Sequence, residues 1–461
     1  MINGYLREFA PALDLIHPGE DRLFFGVEID SRRIKSGQLF VALRGERLDG
    51  HDFLAQAHAQ GAAVALVERE EPAVPLPQWV VRDTRRALGD LAKAWRLRFE
   101  LPVIGVTGSN GKTTVKQMLA SICAQQGAVL ATQGNLNNDI GVPLTLFNLA
   151  QDHRAAVIEM GANHAGEIAY LADLARPQVG LVNNAAAAHL EGFGSLDGVA
   201  KAKGELYQGL PAQGVAIINQ DDGYAEFWKT LAGNRPILSF GLDARADFHA
   251  DAEKLRIQEQ EDHLETEFYM GTPAGEMKVR IPLLGRHNVA NALAAAAAAY
   301  AAGVELKLIC QGLAQMQPAP GRLQIRAGLA GVRLIDDTYN ANPGSLAAAL
   351  QVLTSLPGPH WLVLADMGEL GPQSQDLHRQ AGLLARQAGI DRLYSLGTLA
   401  QEAAQAYGAG AQAYEQPQQL AQALLVDIKA ADHPVILFKG SRRMQLEQVV
   451  KPLLNLNMVG A

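Results

Sequence analysis

One continuous run constrains this chain more than any other feature: the apolar stretch Leu101-Pro102-Val103-Ile104-Gly105-Val106-Thr107 passes directly into Gly108-Ser109-Asn110-Gly111-Lys112-Thr113-Thr114. A strand, a glycine turn and a helix over 114–126, in that order, make a phosphate-binding unit. Gly108 and Gly111 let backbone N–H groups face phosphate oxygens, and the start of the helix adds a favourable dipole. Lys112 supplies countercharge, and Thr113 a hydroxyl suited to Mg²⁺. The general pattern G-x-x-x-x-G-K-[ST] needs glycine where Val106 stands, so the loop is a variant form. Alone it specifies nucleotide binding, with a kinase or an ATPase equally open.

Such a unit belongs to an α/β fold, and the surrounding periodicity extends it. Apolar runs at 155–158, 179–182 and 215–218 alternate with helical stretches such as 196–210, which predicts a parallel sheet with helices on both faces. Residues 1–98 read as a small α/β unit, with a strand in 37–43 and a helix over 53–61. From 246 to 284 short alternating segments predict antiparallel strands appended to the central sheet, and the alanine-rich stretch 289–304 reads as a buried helix. Pro318-Ala319-Pro320-Gly321 makes a hinge, after which strands at 332–335, 361–365, 392–396 and 435–438 predict a Rossmann-like unit. Three domains are expected: 1–98, 99–317 and 318–461.

Composition excludes several classes. A net charge of −8 lacks the basic surface that a nucleic-acid binder concentrates against phosphates. Cys123 and Cys310 stand far apart without histidine companions, so neither a disulfide framework nor a zinc site is indicated. The first fifteen residues carry Arg7, Glu8 and Asp14 and read as no signal peptide, and 289–304 falls short of the ~20 strongly apolar residues that span a bilayer. A cytoplasmic monomer without a membrane span is expected.

The remaining candidates sit where parallel strands deliver side chains, beyond their carboxyl ends. Glu159 ends the run 155–158 and reads equally as a metal carboxylate or as a solvated strand-end acid. His189 follows the strand 179–182 on the same rim, although a loop histidine is more often simply solvated. Lys203, in Ala200-Lys201-Ala202-Lys203-Gly204-Glu205, reads from composition as an exposed basic helix face. His287, Asn288 and Asn291 open the alanine-rich helix and suit either a cap or a base and ribose contact. Arg322, Asp337, Tyr339 and Asn340 gather beside the hinge, where charged, aromatic and amide groups suit closure over a nucleotide.

Taken together these segments resemble the Mur ligase family over nearly the whole chain. The carriers are Asp30-Ser31-Arg32, Phe40-Val41-Ala42-Leu43-Arg44-Gly45-Glu46, the loop 107–114, Gly134-Asn135-Leu136-Asn137-Asn138-Asp139-Ile140-Gly141-Val142-Pro143, Glu159-Met160-Gly161-Ala162-Asn163-His164, 189–203, 285–291, 336–343 and Lys439-Gly440-Ser441-Arg442. The resemblance implies ATP and two Mg²⁺ ions as cofactors. It makes Thr113 and Glu159 ligands of one ion, His189 of a second, and Lys203 a carbamate able to bind or orient the metals. Lys112 would bind phosphates. His287, Asn288, Asn291, Arg322, Asp337, Tyr339 and Asn340 would surround adenosine, and Ser31, Arg32, Arg44, Gly45, Asn135 and Asn138 would meet a UDP-linked substrate. Within the family, Asp366-Met367-Gly368-Glu369-Leu370-Gly371 and Asn340-Ala341-Asn342-Pro343-Gly344-Ser345 resemble the member that joins D-alanyl-D-alanine to UDP-MurNAc-tripeptide through an acyl phosphate. The Asp-Asn-Pro-Arg motif usual in members that add the third amino acid does not occur. Addition of that third residue, or a scaffold that binds ATP without turnover, are the alternatives.

Overall fold

The computed structural model describes residues 1–186, 190–259 and 264–454. Its centre is a ten-stranded sheet. Seven strands run parallel in the order Phe248–His249, Ile237–Gly241, Val215–Asn219, Val179–Val182, Val103–Thr107, His153–Glu159 and Ala128–Ala131. Val103 to Thr107 are buried without exception, as a strand covered by helices on both faces must be. Beyond Phe248–His249 the sheet turns antiparallel through Leu264–Thr272, flanked by Arg256–Glu259 and Gly275–Ile281. The appended antiparallel segment read from the sequence is therefore present.

Helix Lys112–Cys123 leaves the phosphate loop and packs with Arg286–Ala301 on one face of this sheet. Val115, Met118, Leu119 and Ile122 point inward at 0% exposure, each stabilising the face by roughly 1.5–3 kcal/mol. Ala292 and Ala294 to Ala299 are also wholly buried, because methyl side chains let the second helix lie close on all sides. The first helix is shorter than the expected span: after Cys123 it tightens to a 3-10 turn, Ala124–Gln126, and Gly127 at φ 139° ends it.

The N-terminal unit holds a five-stranded sheet, Leu15–His17, Gln78–Val81, Val64–Val67, Leu39–Val41 and Val27–Glu28, parallel apart from its first member. The helix expected at 53–61 is split into a 3-10 turn, Gly50–Phe53, and Leu54–Ala59. Its sheet has two different neighbours. Phe40, Ala65 and Val67 face a local cluster, whereas Leu39, Val41, Leu66 and Val81 join Trp95, Leu146, Leu171 and Trp228 in one core shared with the central unit. Helix Thr84–Arg96 forms the seam, packed on Gly141–Leu146 and Glu167–Ala175. Nothing in the sequence reading anticipated the hairpin of Asn3–Tyr5 with Leu23–Phe25, or the Ile2 N–H that donates to Phe147 O at 2.6 Å.

The C-terminal unit is a six-stranded sheet ordered Gln324–Ala327, Arg333–Asp337, Val435–Lys439, His360–Ala365, Arg392–Leu396 and Ala411–Tyr414, antiparallel only at the first pair. It faces the central sheet across a cleft of about 460 Å³ in which the site lies.

Candidate active site

Gly108 and Gly111 carry φ values of 150° and 80°, the second in the left-handed region that side chains resist. The space at Gly111 is as demanding as its backbone: a Cβ there would meet Asn183 Nδ2 at 2.4 Å and Asn291 Oδ1 at 2.5 Å. Those atoms belong to an amide chain that shapes the loop from behind. Asn183 Nδ2 donates to Asn110 O (2.9 Å) and to Asn291 Oδ1 (2.8 Å), Asn291 Nδ2 to Asn288 Oδ1 (3.1 Å), and Asn288 Nδ2 to Leu284 O (2.8 Å). Asn184 Oδ1 accepts from the Asn110 N–H at 2.8 Å. Asn288 and Asn291 thus act here as buried braces of the loop. The sequence reading missed Asn183 and Asn184, although they follow the strand Val179–Val182 at the end where ligand-facing residues sit.

Lys112 folds back on its own loop, donating to Gly108 O at 2.6 Å and Ser109 O at 3.3 Å. Burial lowers its pKa, the nearby Arg322 charge adds to that, and Glu159 opposes it. Glu159 is 2% exposed. Its Oε1 accepts from Asn137 Nδ2 (2.9 Å) and Thr113 Oγ1 (3.4 Å), while among the described residues Oε2 has no hydrogen-bond donor and only Lys116 Nζ within ion-pair distance, at 3.4 Å. Arg322 reaches from the C-terminal unit, stacks on the Tyr339 ring at 4.2 Å and donates to Thr113 Oγ1 at 3.0 Å. Asn342 Nδ2 makes a second bridge to Asn110 Oδ1 at 2.7 Å.

Around the cleft's C-terminal wall, the buried Lys439 pairs with Asp337 and donates to Asn340 O at 3.0 Å. His287, Asp337, Tyr339 and Asn340 line the same cavity as the loop. Desolvation pushes the His287 pKa down to about 4, Asp337 pulling it up less than burial pulls it down, so the ring is neutral near pH 7.

Lys203 corrects the compositional reading of an exposed face. It lies in helix Leu196–Gln208 at 2% exposure, with Nζ 5.9 Å from the Phe193 ring centroid. Among the described residues no carboxylate is within ion-pair distance of it. Desolvation, then repulsion from Lys112, drives its pKa well below the usual lysine value. His189 lies outside the described residues.

The candidates for a UDP-linked substrate divide into two groups. Ser31, Arg32, Arg44 and Gly45 follow the carboxyl ends of parallel strands in the N-terminal sheet. Ser31 Oγ donates to Gln56 Oε1 at 2.7 Å, Arg32 chelates Asp30, Arg44 lies 3.7 Å from Asp49, and the Gly45 N–H donates to Leu48 O. Asn138 instead lines a second cleft of about 490 Å³ between the first two units, with Arg85, Arg86 and Asn163, and its Oδ1 accepts from the Gly141 N–H. Asn135 is exposed in the loop before it. The structure does not bring the first group into that second cleft.

Comparison with known families places each unit. The Mur ligase middle domain matches residues 106–299, the Mur ligase glutamate ligase domain 321–442, and the Mur ligase family catalytic domain 24–96. The chain belongs to the Mur ligase family. A Mur ligase of Escherichia coli (strain K12), UDP-N-acetylmuramoyl-tripeptide--D-alanyl-D-alanine ligase, is 46% identical over 98% of this chain and 99% of its own. The crystal structure of MurF from Acinetobacter baumannii superposes with a TM-score of 0.91 at 38% identity, covering 98% of this chain and 99% of that one. MurF of Thermotoga maritima, solved in complex with ADP, gives 0.81 at 27% identity over 92% and 96%. Three Mur ligase domains on parallel-rich sheets confirm the fold class read from the sequence.

Proposed function

We propose that this Mur ligase uses ATP to join D-alanyl-D-alanine to UDP-MurNAc-tripeptide, giving the pentapeptide precursor of peptidoglycan, ADP and phosphate. One observation carries the reading: a glycine phosphate loop, a buried carboxylate and a desolvated lysine converge beside a two-unit cleft, in a chain whose full-length relative bears that activity in its name.

The substrate carboxylate attacks the γ-phosphorus; a new O–P bond forms, the bridging bond to the β-phosphate breaks, and ADP leaves. The dipeptide amine then attacks the acyl carbon, the C–N bond forms, and phosphate departs as the amine loses a proton. Carboxylate and triphosphate repel each other, so the first step depends on countercharge and in-line positioning. Lys112, released from Gly108 O and Ser109 O, meets the phosphates, and Arg322 stands 3.0 Å from Thr113 on the opposite wall. His287, neutral near pH 7, can hydrogen-bond adenosine without adding charge. Asn288 and Asn291 act by holding the loop; Asp337, Tyr339 and Asn340 form the closing wall.

The residues fit a Mg²⁺ ion: Thr113 Oγ1 and Glu159 are in contact, and Glu159 Oε2 is a buried oxygen without a donor among the described residues. Bound there, Mg²⁺ would neutralise phosphate charge and polarise the γ-phosphoryl group. Lys203 suits carbamylation, since only an uncharged amine attacks CO₂, forming an N–C bond and shedding a proton. The resulting anion would serve a second ion together with His189, as family resemblance implies. Ser31, Arg32, Arg44, Gly45, Asn135 and Asn138 would hold the UDP-linked substrate. The domain bounds 1–98, 99–317 and 318–461, a cytoplasmic location and a monomeric state complete the proposal.

The test is direct. Purified protein with UDP-MurNAc-tripeptide, D-alanyl-D-alanine, ATP and Mg²⁺ should yield UDP-MurNAc-pentapeptide and equimolar ADP, with both acceptor substrates required. Lys112→Ala should abolish turnover. Absence of pentapeptide from wild-type protein overturns the assignment, and ATP binding without turnover would mark a scaffold.

A further inference from the structure

A second lysine stands at the phosphate loop, outside the contacts that the proposed reaction uses. Lys116 lies one turn beyond Lys112 on helix Lys112–Cys123, its side chain only 2% exposed. Its neighbours on that helix, Val115, Met118 and Leu119, are wholly apolar and buried. A lysine in such company loses hydration that a chain of the same length without charge would not lose. What it gains is contact with Glu159: Nζ is 3.4 Å from Oε2, the carboxylate oxygen that no hydrogen-bond donor among the described residues reaches. Nζ also approaches Gly134 O at 3.5 Å, in the loop that carries Asn137, the donor to Oε1.

The local charge is lopsided. Lys112, Lys116 and Arg322 act on or near Glu159, and Lys203 acts on Lys112. Glu369 is the other carboxylate that bears on Lys112, and Asp337 is engaged by Lys439. We infer that Lys116 is a resident countercation for Glu159, which keeps divalent metal out of the nucleotide-free site and makes metal entry conditional on the triphosphate. The inference rests on Glu159 being a metal ligand. With no nucleotide, a divalent ion must approach one carboxylate already neutralised by an ammonium and overlooked by two further cations. With ATP present, the phosphates reverse that balance, and Glu159, held by Lys116 and Asn137, is already placed. Lys116 is thus a positioning residue that acts through Glu159. The consequence is an order of binding: the metal arrives with ATP and does not wait for it.

The experiment is titration of the full-length protein with Mn²⁺, followed by electron paramagnetic resonance, with and without the non-hydrolysable analogue AMP-PNP. Wild type should bind Mn²⁺ weakly alone and far more tightly with AMP-PNP. Lys116→Met, which keeps the length of the side chain and removes the charge, should tighten nucleotide-free Mn²⁺ binding at least tenfold and narrow the gap between the two conditions. Lys116→Arg should restore wild-type behaviour, which a packing defect would not. Unchanged or weaker nucleotide-free binding in Lys116→Met overturns the inference, as does an arginine variant that behaves like methionine. Should Lys116→Met fail to fold, Lys116→Gln takes its place with the same expected shift. Glu159→Gln separates the two layers. If it leaves Mn²⁺ binding with AMP-PNP intact, Glu159 is no ligand and the underlying reading falls; if it abolishes that binding while Lys116→Met changes nothing, the countercation role alone falls.

Discussion

Replacing Gly111 by alanine tests whether the amide chain behind the phosphate loop shapes it. Two separate costs follow from the geometry. The residue sits at φ 80°, where a Cβ costs roughly 1–2 kcal/mol. The same Cβ would lie 2.4 Å from Asn183 Nδ2 and 2.5 Å from Asn291 Oδ1, forcing apart a buried hydrogen bond of 2.8 Å. Leaving that donor and acceptor unpaired costs about 1–3 kcal/mol. The sum, roughly 2–5 kcal/mol, is a large share of the stability of a typical domain and should lower the melting transition of the central unit by on the order of 10 °C. Gly166→Ala is the control, because Gly166 has φ 87° but no atom within 4 Å of its virtual Cβ. It should lose only the conformational part. Differential scanning calorimetry gives the transition, and calorimetric titration with AMP-PNP gives the affinity, which should fall at least tenfold in Gly111→Ala and hold in Gly166→Ala. Equal transitions for the two variants, or full nucleotide affinity in Gly111→Ala, would refute the argument that Asn183 and Asn291 set the loop.

Three further outcomes are expected. Lys203→Met should lower kcat by about a hundredfold, the scale of losing one electrostatic group from a reaction centre, and leave AMP-PNP affinity unchanged; an equal loss of affinity would make Lys203 structural. His287, depressed to about 4 from 6.5, leaves the unfolded chain binding more protons between those values, so stability rises with pH from about 4 to 6.5 and is lost as pH falls through that window. His287→Gln should flatten that dependence by at most about 3 kcal/mol, read from urea melts across the window. Asn342→Asp keeps the cap on Ser345 N and removes the amide that reaches Asn110 Oδ1, so nucleotide-free protein should open, with a larger radius of gyration in solution scattering. No change in radius would mean that this bridge does not hold the units together.

The strands were legible where the physics is local. Val103 to Thr107 or Val435 to Lys439 are short apolar runs bounded by turn signals, and parallel strands buried on both faces leave that trace. The alanine helix was legible for the same reason. Lys203 and Lys116 were not, because charge and periodicity describe a lysine as solvated until tertiary neighbours remove its water. Asn183 and Asn184 gave a positional signal, the carboxyl end of a strand, but asparagine there is also a frequent turn residue. Asn288 and Asn291 stood open between cap and ligand; their bonds to Leu284 O and Asn183 resolve them as braces. The core that joins residues on both sides of residue 98 could not be read from composition, since each half looks like an adequate small domain.

That shared core bears on how chains of this kind can be recombined. A splice near residue 98 would divide Leu39, Val41 and Trp95 from Leu146, Leu171 and Trp228, leaving two half-interiors that a foreign partner would have to match side chain for side chain. A splice at Pro318–Gly321 leaves the interiors nearly intact: among the described residues the C-terminal cores are drawn from their own unit, with Leu264 and Leu284 the only visitors from the central one. The C-terminal unit is therefore the part whose interior can be exchanged whole, whereas the first two units, which share one interior, have to be altered in place.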